Sequence, residues 1–337
     1  MAVFFAVDFG NFTNVNDTIE AWTVTGGNII TRGGLAFYRS STSGHNFTSS
    51  AWPTFPAAAT TMIFQGFAYI QDLAQTGPIL KFKEGSTVHM SFESDGTGKI
   101  VAKRAGTTTL GTSTTTMPLN AWFYLQIKVV ISDTVGVVVI RMEGVEGLNL
   151  TGQDTRNGGT GIIDGLDIYS LNNNDNSNMG FNRFFVMDGT GTANNDITTS
   201  IVEIATINPN GAGATTGWTP STGANWQTVD EVPKSETDYN SAAATALKDT
   251  FAMESVPGSS TSIQAVVPFA IGEKQSVDVI NVHTISRHST SESAGANVAL
   301  KNASMSYIYS IDEVNPSTAA AWTVAEVNAM EAGYASA

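Results

Sequence analysis

The sequence has no cysteine. Disulfides and thiolate metal sites are therefore excluded, and cysteine usage leaves the redox compartment open. Charge is also scarce: Asp, Glu, Lys and Arg make up 14% of the 337 residues, well below the usual quarter. Basic residues are the scarcer kind, 16 against 30 acidic ones, for a net charge of −14. A surface of that sign repels phosphate backbones and anionic lipid, so neither nucleic acid nor membrane is expected as a partner. Lys103-Arg104 is the only adjacent basic pair and reads as a solvated turn. Long apolar runs are missing too. The longest near the start, Ala2 to Val7, is too short for a secretory leader or a membrane span. The expectation is a soluble chain made without a secretory signal.

Apolar residues nevertheless reach 42%, enough for packed cores and too many for a disordered chain. The strongest local signal runs from Leu119 to Gly152. Phe123, Leu125, Ile127, Val129 and Ile131 occupy alternate positions, with Gln126 and Lys128 between them, which predicts a strand with one buried face. A loop at 132–136 leads into Val138, Ile140 and Met142, and the two β-branched runs form an antiparallel hairpin. Similar short segments lie at 3–9, 22–24, 35–38, 61–70, 78–83, 88–92 and 99–102, with Gly-containing turns at intervals of roughly ten residues. That spacing indicates a sandwich or jelly roll. Thr107 to Thr116 reads as a polar edge strand with Leu110 inward.

The segment 188–196, rich in Gly, Asn and Asp, reads as an exit linker, so the first domain is expected over 1–192 and the second over 193–337. In the second, strands are expected at 201–207, 249–256, 262–269, 277–286 and 296–310. A short helix is expected over Trp322–Gly333, with Thr323 as N-cap, Glu326 completing a capping box and Gly333 at C′. The predicted class is all-β, two sandwiches with a short terminal helix.

Candidate chemistry is sparse. Glucanases built on a sandwich use a Glu-x-Asp-x-x-Glu motif to place two carboxylates on one face. Glu93-Ser94-Asp95-Gly96-Thr97-Gly98 is the nearest match and has glycine at the last position, so Asp95-Gly96 reads as a hairpin turn. No Gly-x-Ser-x-Gly elbow accompanies the four histidines, His45, His89, His283 and His288. His283 and His288 are five apart on an expected strand and so point to opposite faces. All four read as surface or interface residues.

The order of a strand at 61–69, hairpins to Ala102, and Leu119-Asn120-Ala121-Trp122 opening the strand before Glu143-Gly144 resembles the laminin-G-like (concanavalin A-like) jelly roll. The family's turn is often Asn-Gly, and here it is Glu-Gly. The continuation, Phe184-Phe185-Val186-Met187-Asp188-Gly189-Thr190-Gly191 and Asn195-Asp196, resembles the junction in a group of tailed-bacteriophage virion proteins. So do Gly217-Trp218-Thr219-Pro220, Asn225-Trp226, Val229-Asp230-Glu231, Asp238-Tyr239, Asp249-Thr250-Phe251 and the closing 322–333 stretch. The resemblance implies a non-enzymatic structural protein on the exterior of a virion, as a tail, baseplate or capsid-decorating subunit. It implies other virion subunits as partners and several copies of this chain related by symmetry. It also implies an optional calcium at the sandwich rim, for which Asp154, Asp164, Asn173, Asn174 and Asp175 are the oxygen donors. No other cofactor is expected. The alternative function is a glycan-binding host-attachment adhesin, in which loop tryptophans Trp52, Trp218 and Trp226 stack on sugars. Against that, such tryptophans plug sandwich ends or fill subunit contacts.

Overall fold

A computed structural model describes residues 59–169, 171, 179–190, 194–231, 235, 237–302 and 305–337 in full. Between residues 3 and 48 it describes the backbone of four strands. The chain divides into two compact units, Met1–Ile204 and Ala205–Ala337. Nearly all the regular structure is antiparallel β-sheet, arranged as two β-sandwich domains.

In the first unit one sheet contains β1 (Val3–Val7), β2 (Asn28–Arg32), β3 (Leu35–Arg39), β5 (Thr61–Ile70), β10 (Trp122–Val130), β11 (Gly136–Met142), β12 (Val145–Gln153) and β14 (Met179–Met187). Their order is β12-β11-β10-β5-β14-β3-β2, with β1 also paired to β14. The second sheet contains β4 (His45–Thr48), β6 (Thr76–Glu84), β7 (Thr87–Asp95), β8 (Ile100–Arg104), β9 (Thr108–Thr112) and β13 (Gly165–Ile168), in the order β4-β13-β6-β7-β8-β9. The sequence pattern explains the core. Alternation sends Phe123, Leu125, Ile127 and Val129 inward from one sheet and Leu80, Phe82, Met90 and Phe92 from the other, all fully buried. Phe82 and Phe92 meet edge to face at 5.7 Å, and Phe64 does the same with Phe181 at 5.8 Å. Burying each ring contributes about 2–3 kcal/mol. The hairpin β10–β11 forms as expected, and Thr108–Thr112 is an edge strand with Leu110 half-buried.

Two local features hold the first sheet in register. Glu143 and Gly144 both take positive φ, 52° and 74°, the two-residue turn whose twist suits a hairpin. On β14 the pairing slips between Asn182 and Phe185, and Arg183 has φ 46°. This bulge presses against β5 at Gly66, where an added Cβ would stand 2.2 Å from the Phe184 Cβ. Glycine is obligatory there.

The expectation of one buried face on β10 needs correction. Tyr124 and Gln126, on the other face, are also fully buried. Residues 196–203 cover them, running as an irregular strap without strand pairing. Gln126 Nε2 donates to the Thr198 carbonyl at 3.0 Å, Arg141 to the Ile197 carbonyl at 3.2 Å, and Lys128 pairs with Asp196 at 2.6 Å. Tyr124 is hydrogen-bonded to the Val202 backbone, and burial pushes its hydroxyl well above the usual range. The expected strand at 201–207 is therefore a strap, and the first unit extends to 204 where the sequence reading ended it at 192. Lys103 and Arg104 are likewise no turn. They lie on β8 and pair with Glu93 and Asp154.

The second unit is built on a sheet of β15 (Pro209–Thr216), β18 (Lys248–Met253), β20 (Asn281–His288), β21 (Ser291–Ala294), β22 (Val298–Ala299) and β24 (Glu331–Ser336). The order is β15-β18-β24-β20-β21, with β22 on β20. Two small ribbons accompany it, β16 (Thr219–Pro220) with β17 (Asn240–Ser241) and β19 (Phe269–Gly272) with β23 (Ser306–Tyr309). The expected strands at 262–269, 277–286 and 296–310 are shorter or displaced. Val277 and Val279 are 90% and 76% exposed and precede β20.

The closing segment differs most. Its helix, α1, is a single turn, Val324–Val327, with the expected Thr323–Glu326 capping box. It stops there, and Gly333 belongs to β24, where an added Cβ would lie 2.0 Å from the Asp249 carbonyl oxygen. Glycine serves close strand packing at 333, where the sequence reading had a helix cap. Trp322, Val327 and Met330 form one small core and Val282, Leu300 and Ile308 another.

Candidate functional site

The six-stranded sheet has one apolar and one polar face. On the polar face Lys83 and Asp167 form an ion pair of 2.8 Å, their side chains only 9% and 4% exposed. Removing either partner from so buried a pair would leave an uncompensated charge. Tyr169 donates to Asp167 Oδ2 at 3.2 Å, and its ring lies 4.7 Å below the Lys81 ammonium. Glu93 accepts from Ser91 Oγ at 2.9 Å and from Lys103 at 2.6 Å. The would-be catalytic carboxylate is thus tied within its own sheet. Asp95 closes the β7–β8 turn by accepting from the Thr97 and Lys99 backbones, and Gly96 takes φ 80°. These bonds hold Asp95 below the usual carboxylate range against the opposing effect of its burial.

At the end of this sheet Glu84 is wrapped by the 157–161 loop. Thr160 donates through its backbone and its hydroxyl, and Gly161 through its backbone, at 2.7–3.1 Å. The Thr160 backbone bond is the leading cause that lowers the Glu84 carboxyl to about 2. Gly158, Gly159 and Gly161 all take positive φ, and a Cβ on Gly159 would strike the carboxylate at 2.3 Å. His89 completes the cluster. Its Nδ1 accepts from the Asn157 backbone at 3.1 Å, so Nε2 carries the proton donated to Glu84 at 3.2 Å. His89 is completely buried, which corrects its reading as a surface residue.

The two described calcium candidates have other partners. Asp154 is paired with Arg104, and Asp164 accepts from the Gly85 backbone at 2.7 Å. Among the described residues no three His, Asp or Glu side chains stand together as metal ligands. Asn173, Asn174 and Asp175 lie outside the described residues, as does Trp52. His283 and His288, on β20, engage Asn297 and Asn315 respectively.

Trp218 is a plug. Its indole N–H donates to the Leu247 carbonyl at 3.1 Å, and its ring meets Tyr334 at 4.8 Å. Beneath it Asp249 is fully buried and accepts from the Gly217 backbone at 2.6 Å, the Trp218 backbone at 2.9 Å and Asn225 Nδ2 at 2.6 Å. Asn225 also donates to the Trp218 carbonyl, and its own carbonyl receives Thr228 and Asn240. Asn240 donates in turn to the Tyr334 hydroxyl at 2.8 Å. Trp226 is half-buried in the short 3-10 turn Asn225–Thr228. Neither of these tryptophans stands out as a bare stacking platform. Sequence reasoning missed the polar sheet face. The alternation at 79–83 and 88–92 was visible, but the register between strands was not.

No family model matches the chain, and no curated protein matches it. Among solved structures, a mutant Trypanosoma rangeli sialidase displaying trans-sialidase activity aligns at 13% identity and TM-score 0.37 over 49% of this chain. The chain spans only 27% of that sialidase's length. A mutant alginate lyase in complex with alginate tetrasaccharide aligns at 10% identity and TM-score 0.39, over 54% of this chain and 95% of the lyase. Domain 4 of an extracellular arabinanase from Geobacillus stearothermophilus, in complex with arabinotriose, aligns at 13% identity and TM-score 0.38, over 56% and 92%.

Proposed function

We propose that this chain is a non-enzymatic structural protein on the exterior of a tailed-phage virion, acting through protein–protein contacts. The observation that supports this reading is what the resembling residues do. Gly217, Trp218 and Asn225 converge on the buried Asp249 carboxylate, while Gly333 packs against the backbone of Asp249 and Thr250, so four separate stretches meet at one point. They pin a loop to a sheet, which is scaffold work. The carboxylates nearest to a hydrolase motif, Glu93 and Asp95, are likewise engaged in holding their own strands together. Exposed Val277, Val279 and Phe269 add apolar area suited to a neighbouring subunit.

The test is labelling of intact phage particles with an antibody raised against this chain, viewed by negative-stain microscopy. Label on the outside of head, tail or baseplate is the expected result. Absence of label on both intact and disrupted particles would overturn the proposal.

A further inference from the structure

The register of the six-stranded sheet aligns polar side chains in one row across five strands. Asp167 stands opposite Lys81, Lys81 opposite Ser91, Ser91 opposite Lys103, and Lys103 opposite Thr109. Strands sit about 4.8 Å apart, so the row is about 19 Å long. That step is close to the advance of one pyranose ring in an extended 1,4-linked chain.

The charges along the row are unequal. Asp167 is neutralised by Lys83 at 2.8 Å and Lys103 by Glu93 at 2.6 Å. Lys81 has no carboxylate within ion-pair reach among the described residues, and its ammonium is held over the Tyr169 ring at 4.7 Å. A cation–π contact fixes the direction of an ammonium and leaves N–H donors available. Lys81 and Tyr169 are half-buried, Lys103 is 27% exposed at its side chain, and Thr109 is exposed, whereas Ser91 and Asp167 are buried, so solvent reaches the row at Lys81, Lys103 and Thr109. In a chain of net charge −14, a preoriented cation beside an aromatic ring, with no ion-pair partner among the described residues, is an unusual placement. It is matched by an anionic group carried on a partner with hydroxyls.

From this juxtaposition we infer that the polar face of the six-stranded sheet binds an acidic oligosaccharide lying across the strands. A sugar carboxylate meets Lys81, a ring rests beside Tyr169, and hydroxyls of further residues meet Glu93, Lys103 and Thr109. The inference is independent of where the chain sits on a particle.

The test is isothermal titration of the full chain with a tetrasaccharide of 1,4-linked hexuronic acid. The neutral 1,4-linked glucose tetrasaccharide and the free hexuronic acid are run in parallel. Only the acidic tetrasaccharide should bind well. Lys81→Ala should weaken it at least tenfold, Lys81→Arg should retain most of the affinity, and Thr109→Ala, at the far end, should weaken it severalfold. Thermal melting of each variant separates lost binding from lost folding. Any of four results would overturn the inference: no binding of the acidic tetrasaccharide, equal binding of the neutral one, equal binding of the single sugar, or a folded Lys81→Ala protein that binds like the parent.

Discussion

Changing Asp249 to Asn alters one atom at the centre of the second unit and makes a measurable demand. Asp249 Oδ1 receives the Gly217 and Trp218 backbone N–H groups, and Oδ2 receives Asn225 Nδ2 at 2.6 Å. In Asp249→Asn the side-chain oxygen stays with the two backbone donors. The new amide nitrogen then faces the Asn225 amide, donor against donor, in a site closed to water. An unpaired buried donor together with the loss of charge-assisted bonding costs about 2–4 kcal/mol, a large part of the 5–15 kcal/mol that holds an ordinary domain. Urea unfolding followed by tryptophan fluorescence reads this directly, since Trp218 loses its Leu247 and Tyr334 contacts when the loop detaches. Adding Asn225→Asp should restore about half of the loss. The carboxylate placed at 225 accepts from the amide placed at 249, but it cannot donate to the Trp218 carbonyl as Asn225 does at 2.8 Å. A single variant within about 0.5 kcal/mol of the parent, or a double variant no better than the sum of the two singles, would refute the reasoning.

Glu84, held at about 2 in the folded chain against 4.5 when unfolded, contributes stability that is fully present above pH 4.5 and is lost as pH falls towards 2. The urea midpoint should therefore drop between pH 5 and pH 3 in the parent and drop less in Glu84→Gln. Gly66→Ala forces a Cβ to within 2.2 Å of the Phe184 Cβ, and thermal melting should show a loss of about 3 kcal/mol or an unfolded first unit. Thr323→Ala removes the N-cap of α1 and its bond from the Glu326 backbone, so urea unfolding should show a cost of about 1 kcal/mol.

What was legible in the sequence was whatever depends on near neighbours. The hairpin from Trp122 to Met142, the polar edge strand at 108–112 and the Thr323–Glu326 capping box follow from alternation, propensity and side chains three residues apart. What was hidden depends on partners distant in the chain. Gln126 reads as a solvated residue until a strap seventy-two positions later covers it. Gly333 reads as a helix cap until Asp249 is seen to press against it. His89 is invisible as a buried group without Asn157 and Glu84. The row through Lys81 and Lys103 requires the register of β6, β7 and β8, which no single strand encodes.

The place of β24 sets the order in which the second unit can come together. This strand, Glu331–Ser336, lies between β18 and β20, and β18 makes no ladder with β20 in its absence. A growing chain that has already released residues 205 to 330 still lacks the middle of its sheet. During that interval Phe251, Val282 and Ile285, all buried in the finished fold, have a neighbouring strand on one side only. Within this unit the strand that comes after all the others in the chain is therefore the one that closes the sheet, and any delay before residue 331 prolongs the time in which two unpaired edges stand open to other chains.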